Sequence, residues 1–200
     1  MILERRGFEL KYRYLANSAA PWLTRNRAPI SSGPAACSTA CGATLLPPPG
    51  EPPNLDPVMA LRTRITLLKR VPAGETLGYG RTFKAARETL VATLPIGYHD
   101  GYPRALSNIG RVIVRGRYAP VVGRVSMDMT LVDVTDVPGI SPDEVVTLIG
   151  RDEESFISAE EVAQTANTIS YEITCGISER VDRYYLASEG HLEGGRTSEG

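Results

Sequence analysis

The stretch from Arg111 to Val134 reads R-V-I-V-R-G-R-Y-A-P-V-V-G-R-V-S-M-D-M-T-L-V-D-V. Short apolar runs broken by turn residues, each too brief for a helix, are the pattern of β-strands. Strands are expected at 111–115, 119–125 and 127–134, with Gly116-Arg117 as a tight hairpin turn between the first two. In the third, Met127, Met129 and Leu131 share a face until Leu131-Val132 breaks the alternation, which predicts a bulge or corner there. A closed or nearly closed β-barrel uses such bends to turn its strands.

The same pattern extends in both directions. Upstream it begins at Val58: Thr63, Ile65 and Leu67 alternate with Arg62, Arg64 and Thr66, and Pro72-Ala73-Gly74 then turns the chain. Further strands are expected at 89–96 and 144–149. Ser158-Ala159-Glu160-Glu161 matches a capping box, in which a serine hydroxyl and a glutamate carboxylate satisfy backbone amides reciprocally, so a helix is expected over about 159–168. The following S-Y-E-I-T-C-G-I-S-E-R-V at 170–181 reads as another extended apolar piece. A mainly β domain over 58–186 results, with a polar, glycine-rich tail at 187–200 that lacks the apolar surface to order itself.

Before Val58 the periodicity fails. Residues 21–57 are rich in Pro, Ala, Ser and Cys and include Pro47-Pro48-Pro49-Gly50 and Pro52-Pro53, the composition of an irregular linker. Residues 1–20 form a separate piece. Its Y-L-A-N-S-A-A at 14–20 is expected to end a strand and enter a helix through Asn17 or Ser18.

Bulk composition narrows the function classes. Two hundred residues with 42% apolar and 22% charged fit one globular domain and an incomplete second piece. A formal charge of −1 without a basic stripe argues against nucleic acid or an anionic membrane as partner. No apolar run approaches the roughly 20 residues of a membrane span, and the N-terminus lacks a signal-type stretch, so a cytoplasmic address is expected. The cysteines Cys37, Cys41 and Cys175 have only His99 and His191 as further ligands, a poor set for zinc. Cys175 reads as a small buried side chain in preference to a nucleophile.

Chemistry points to Tyr79. In T-L-G-Y-G-R-T-F-K at 76–84 it stands between two glycines, where another molecule approaches a phenol easily. A free phenol has a pKa near 10, so it serves as a base only with help from positive charge or hydrogen-bond donors. Arg81 is one candidate helper. The competing reading is a half-buried strand tyrosine. In L-P-I-G-Y-H-D-G-Y-P-R at 94–104, the pairs Gly97-Tyr98 and Gly101-Tyr102 either line a ligand or cover a barrel end. Adjacent His99 and Asp100 form no acid–base couple. Near Ser126, exposed amides around Met127-Asp128 can hold a carboxylate, while the Met127 side chain reads as core; Arg124 and Asp128 are expected to pair across one strand face.

Taken together, G-Y-G-R-T-F, L-P-I-G-Y-H-D-G-Y-P-R, V-G-R-V-S-M-D-M and I-S-Y-E-I-T-C-G-I-S-E-R-V resemble the C-terminal domain of alanine racemase in order and spacing. Y-L-A-N-S-A-A is similar to that family's H-x-A-N-S-A segment near the end of its N-terminal barrel, with Tyr14 where a histidine is usual. The resemblance implies a pyridoxal 5′-phosphate enzyme with a barrel, a β-barrel-like C-terminal domain and a head-to-tail homodimer. Residues 1–20 would be a remnant of the barrel. By the same resemblance, Tyr79 is the acid–base on one face of the substrate Cα and a barrel lysine acts on the other. The Met127 amide binds the amino-acid carboxylate, Tyr98 narrows the entrance, Tyr171 and Ser18 contact the cofactor phosphate, and Asp128 supports the site.

The chain also departs from the family. A complete (β/α)8 barrel takes about 250 residues, and the lysines here, Lys11, Lys69 and Lys84, lie outside the family motif V-K-A-D-A-Y-G-H-G. The isolated chain is therefore expected to be inactive. The departure begins after Ala20, and part of 21–53 reads as the product of a shifted frame. Back-translated with G/C-rich codons and moved by one base, the start of Ile30–Leu46 can spell H-F-V-R-P-G. Two other functions stay open: a racemase for another small amino acid such as serine, and a non-catalytic β-domain for binding or dimerisation.

Overall fold

The computed structural model describes residues 57–186 and the short strands at 14–16, 31–32 and 192–193. The chain divides into two compact units, Met1–Ala60 and Leu61–Gly200. In the first, Tyr14–Ala16 (β1) pairs in parallel with Ser31–Ser32 (β2). Ser18, Cys37, Cys41 and the proposed frame-shifted stretch apart from β2 lie outside the described residues.

The second unit is mainly β. Leu61–Arg64 (β3) and Leu67–Val71 (β4) form one extended segment bent at Ile65-Thr66. Thr76–Leu77 (β5) and Phe83–Lys84 (β6) make a small antiparallel hairpin. Thr89–Leu94 (β7), Arg111–Val114 (β8), Arg117–Pro120 (β9), Thr130–Asp133 (β10), Val145–Asp152 (β11) and Ser155–Ile157 (β12) follow. Ala159–Thr165 (α1) and Ser170–Cys175 (α2) come next, and Tyr185–Leu186 (β13) pairs with Leu192–Glu193 (β14).

Two sheets hold most of these strands, in the orders β10-β7-β4 and β12-β11-β8-β9, with β3 also paired to β11. They are joined at two corners. One is the β3-to-β4 bend, where the Ile65 amide donates to Glu144 O and the Thr66 amide to Thr93 O, one bond to each sheet. The other is the bridge between Val121, just past β9, and Val132 of β10. Joined at these corners, the two sheets form a barrel-like arrangement.

The core is built on both faces of these strands. Ile65, Leu94, Val112, Ile113, Val114, Val132, Val146, Leu148 and Ile157 are fully buried. Side chains of this size contribute about 1.5–3 kcal/mol each when removed from water. Strand β11 is buried continuously from Val146 to Gly150 because it is paired to neighbours along its length and packed against α1. A smaller cluster of Val71, Ala85, Val91 and Val122, with Leu77, Phe83 and Leu131 against it, seats the β5-β6 hairpin.

Several expectations are corrected. The segment expected to be extended over 170–181 begins with helix α2; Ser170 and Ile173 are its buried residues, three apart, a helical spacing. The first hairpin turn is Arg115-Gly116, one residue earlier than expected, since Val114 pairs with Arg117 and both turn residues have positive φ (51° and 66°), as a type I′ turn requires. Strand β10 begins only at Thr130, after a tight turn at Ser126–Met129, and runs in regular register through Leu131-Val132. The irregularity lies instead in β11, between Thr147 and Ile149. Residues 119–125 form a strand only to Pro120, and α1 ends at Thr165. Ser158 does cap α1, its hydroxyl accepting from the Glu161 amide, but the reciprocal half of the capping box is replaced, since the Glu161 carboxylate pairs with Arg111.

Candidate active site

Tyr79 sits at the tip of the β5-β6 hairpin, in a single 3-10 turn closed by the Arg81 amide donating to Gly78 O. Gly78 (φ 71°, ψ 178°) and Gly80 (φ 72°, ψ 8°) hold backbone conformations open to glycine, and Arg81 follows at φ 51°. Gly78 is also needed for space: a Cβ there would stand 3.1 Å from the Arg124 amide nitrogen and 3.4 Å from Gly123 Cα. The tip therefore rests directly on the backbone of Gly123-Arg124. The Tyr79 ring is 73% exposed, so it is neither half-buried nor in a strand.

Asn108 locks this contact from behind. Its side-chain oxygen accepts from the Gly123 amide, its backbone amide donates to Gly123 O, and its side-chain nitrogen donates to the Thr82 hydroxyl. Ser107 Oγ accepts the Val125 amide. This bracing carries the chain into Ser126–Met129, where the Ser126 amide donates to Met129 O and Ser126 Oγ accepts the Met129 amide. Met127 and Asp128 occupy the apex. The Met127 amide has no acceptor among the described residues, and its side chain is half exposed, contrary to a core position.

The loop at 97–102 packs on this turn. Tyr98 and His99 amides donate to Ser126 O and Met127 O, both at 3.0 Å. So close an approach needs glycine at 97, because a Cβ there would lie 2.3 Å from Ser126 O. The buried Thr130 hydroxyl adds a bond to Ile96 O, and Asp100 Oδ2 accepts the Gly97 amide. Tyr98 is partly exposed above the contact. Tyr102 is buried, and burial pushes its phenol well above the ordinary tyrosine range, so of the two loop tyrosines only Tyr98 faces solvent.

Tyr171 lies in the first turn of α2, half-buried, its phenol without a hydrogen-bond partner among the described residues. The turn after that helix docks on the same loop: the Ser178 amide donates to Asp100 O. Arg180 reaches both Asp100 (3.5 Å) and Asp128 (3.0 Å), so the expected Arg124–Asp128 pair is replaced. Arg124 instead lies with its guanidinium against Gly80. Cys175, expected to be buried, is exposed.

Tyr79, Met127 and Tyr98 are thus joined by a short chain of backbone contacts, and the segment bearing Tyr171 meets the same loop. Asn108, Thr130 and Arg180 escaped the sequence reading. Only the positive φ of Asn108 (61°), a conformation asparagine tolerates, had a sequence signal in the Ser-Asn-Ile-Gly run. The described residues do not by themselves fit pyridoxal phosphate: Lys69 and Lys84 are exposed on β4 and β6, and Tyr171 alone of the expected phosphate contacts lies within them. No helix among the described residues is long and apolar enough to cross a membrane.

Comparison with known proteins places the chain in a family. The family profile "Alanine racemase, C-terminal domain" matches residues 58–185. Alanine racemase of Halothermothrix orenii is 52% identical over 132 residues, 66% of this chain and 35% of that protein. Alanine racemase of Geobacter sulfurreducens is 46% identical over 190 residues, 90% of this chain and 47% of that protein. The crystal structure of alanine racemase from Bartonella henselae with covalently bound pyridoxal phosphate superposes with a TM-score of 0.73 at 30% identity, covering 92% of this chain and 50% of that one. The chain spans half or less of the length of these relatives, and over that span it belongs to the alanine racemase family through its C-terminal domain.

Proposed function

We propose that this domain supplies the tyrosine acid–base of an alanine racemase, interconverting L- and D-alanine for cell-wall precursors in the cytoplasm. The observation that carries the reading is the exposed Tyr79, held on a glycine-built tip and linked through Gly123–Ser126 to an amide with no acceptor among the described residues. Racemisation needs one group to take the α-proton and another, on the opposite face of Cα, to return one. Tyr79 is the group this chain offers: its phenolate accepts the proton from Cα in one direction, and its phenol donates in the other. The Met127 amide donates to the substrate carboxylate and fixes Cα relative to that phenol. Tyr98 narrows the entrance.

Pyridoxal phosphate supplies the electron sink that acidifies Cα–H. A barrel lysine of a homodimer partner would anchor it, and Tyr171 and Ser18 would contribute toward its phosphate. In domain terms, 1–20 is the end of such a barrel, 21–57 a linker, 58–186 the β-domain and 187–200 a tail.

The test is complementation. The purified chain with pyridoxal phosphate is expected to show no racemisation, and addition of a separately expressed barrel half, for example that of the Geobacter sulfurreducens relative, to restore it. Activity of the chain alone, or restored activity that survives Tyr79→Phe, would overturn the reading. The exposed, unanchored positions of Lys69 and Lys84 favour one second reading, a dimerisation module without chemistry. Tight association with the barrel half and no turnover is its signature, and a greater restored rate on serine than on alanine marks a serine racemase.

A further inference from the structure

We propose that Arg180 is a positioning residue that locks the turn bearing Met127 to the loop bearing Tyr98 and neutralises Asp128 beside the carboxylate-binding amide. The inference rests on the reading of the site given above. Arg180 Nη1 lies 3.0 Å from Asp128 Oδ1, and its Nε lies 3.5 Å from Asp100 Oδ1. These two carboxylates come from the two backbone pieces that meet at the Tyr98 and His99 amides. One guanidinium therefore spans the seam.

An isolated surface ion pair contributes little, but two features set this one apart. The Asp100 side chain is only 10% exposed and its second oxygen is committed to the Gly97 amide, so the carboxylate is fixed before Arg180 meets it. Arg180 is also held at its root. Its amide donates to Ser178 Oγ, and Arg183 knits the turn by donating to Ile177, Ser178 and Val181 carbonyls. A fixed cation facing a fixed anion loses less side-chain freedom on pairing.

The consequence for binding is electrostatic. Asp128 follows Met127 directly, so its negative charge stands beside the amide proposed to receive an amino-acid carboxylate. Like charges at such range repel. Arg180 offsets that charge and holds the Asp128 side chain in a fixed place. Without it, substrate binding is expected to weaken more than the proton transfers at Tyr79 slow.

Two measurements test this. Amide exchange on the chain alone, which needs no turnover, is expected to quicken at Tyr98 and His99 by about fivefold in Arg180→Ala, with Arg180→Lys between it and the parent. Amides of β11 should be unchanged. Unchanged exchange at Tyr98 and His99, or equal acceleration across the domain, overturns the proposal. In the assembly with the barrel half, Arg180→Ala is expected to raise KM about tenfold while kcat stays within about twofold, the pattern of lost ground-state binding. Adding Asp128→Asn to Arg180→Ala should return KM most of the way, as a purely packing role would not; failure of that rescue removes the electrostatic part. Absence of turnover in the unmutated assembly sinks the function reading, while the exchange result still decides the clamp.

Discussion

Along β11, residues 146–150 are buried without a break, whereas from Gly78 to Thr82 every residue is exposed. The strand is held by side chains meeting side chains. The Tyr79 tip is held by backbone meeting backbone, through glycines that bring peptide groups within van der Waals contact and an asparagine that ties them together. The first region tolerates chemical monotony and resists changes of volume. The second leaves the Tyr79 side chain free and resists the addition of a single methyl group at its seams.

Substitutions can break or sharpen that contrast. The largest effect is expected from Tyr79→Phe, which removes only an oxygen: activity of the complemented assembly should fall about 10²–10⁴-fold, the usual share of general acid–base catalysis. Its urea midpoint should hardly move, because an exposed side chain lost from no contact changes stability by less than about 0.5 kcal/mol. A marked loss of stability would mean the tip is packed after all. Leu148→Ala should do the reverse. It empties a fully buried position and is expected to cost about 2–5 kcal/mol in denaturant unfolding.

Gly97→Ala probes the seam itself. Its Cβ would stand 2.3 Å from Ser126 O and 2.4 Å from Met127 O, so the loop and the turn must part. Stability should drop by about 1–3 kcal/mol, as for overpacking elsewhere, and substrate affinity should fall with it. Retention of both would show that the seam yields. The smallest effect is expected at Ser158→Ala, which removes the α1 cap and should cost about 1 kcal/mol in thermal or denaturant melts, with restored activity unaltered.

Legibility follows the same division. The strands β3, β7, β8 and β11 and the cap at Ser158 are readable because alternation, short apolar runs bounded by turn residues, and capping are all local signals. Helix α2 was misread because Ser170 and Ile173 share a helical face that six residues are too few to reveal as a period. The turn at Ser126–Met129 reads as strand in the sequence, since its apolar methionines suit alternation and nothing local shows that Met127 faces solvent. Tyr79, Tyr98 and the Met127 amide stand out locally, by flanking glycines and by a place beside Ser126, while the roles given to them rest on the resemblance of motifs. Arg180 was passed over because its partners lie 80 and 52 residues away in the chain, at Asp100 and Asp128.

The sequence by itself determined a mainly β domain from about Val58 onward, its principal strands, and the family to which its motifs belong, because hydrophobic alternation and turn chemistry act over a few residues. Only the tertiary structure decided that the Tyr79 ring stands free, that the Met127 amide has no acceptor among the described residues, and that one arginine joins two distant aspartates. Those outcomes depend on which backbones come into contact, and contact between remote segments is settled by packing and by hydrogen bonds formed only once the sheets have joined at their corners.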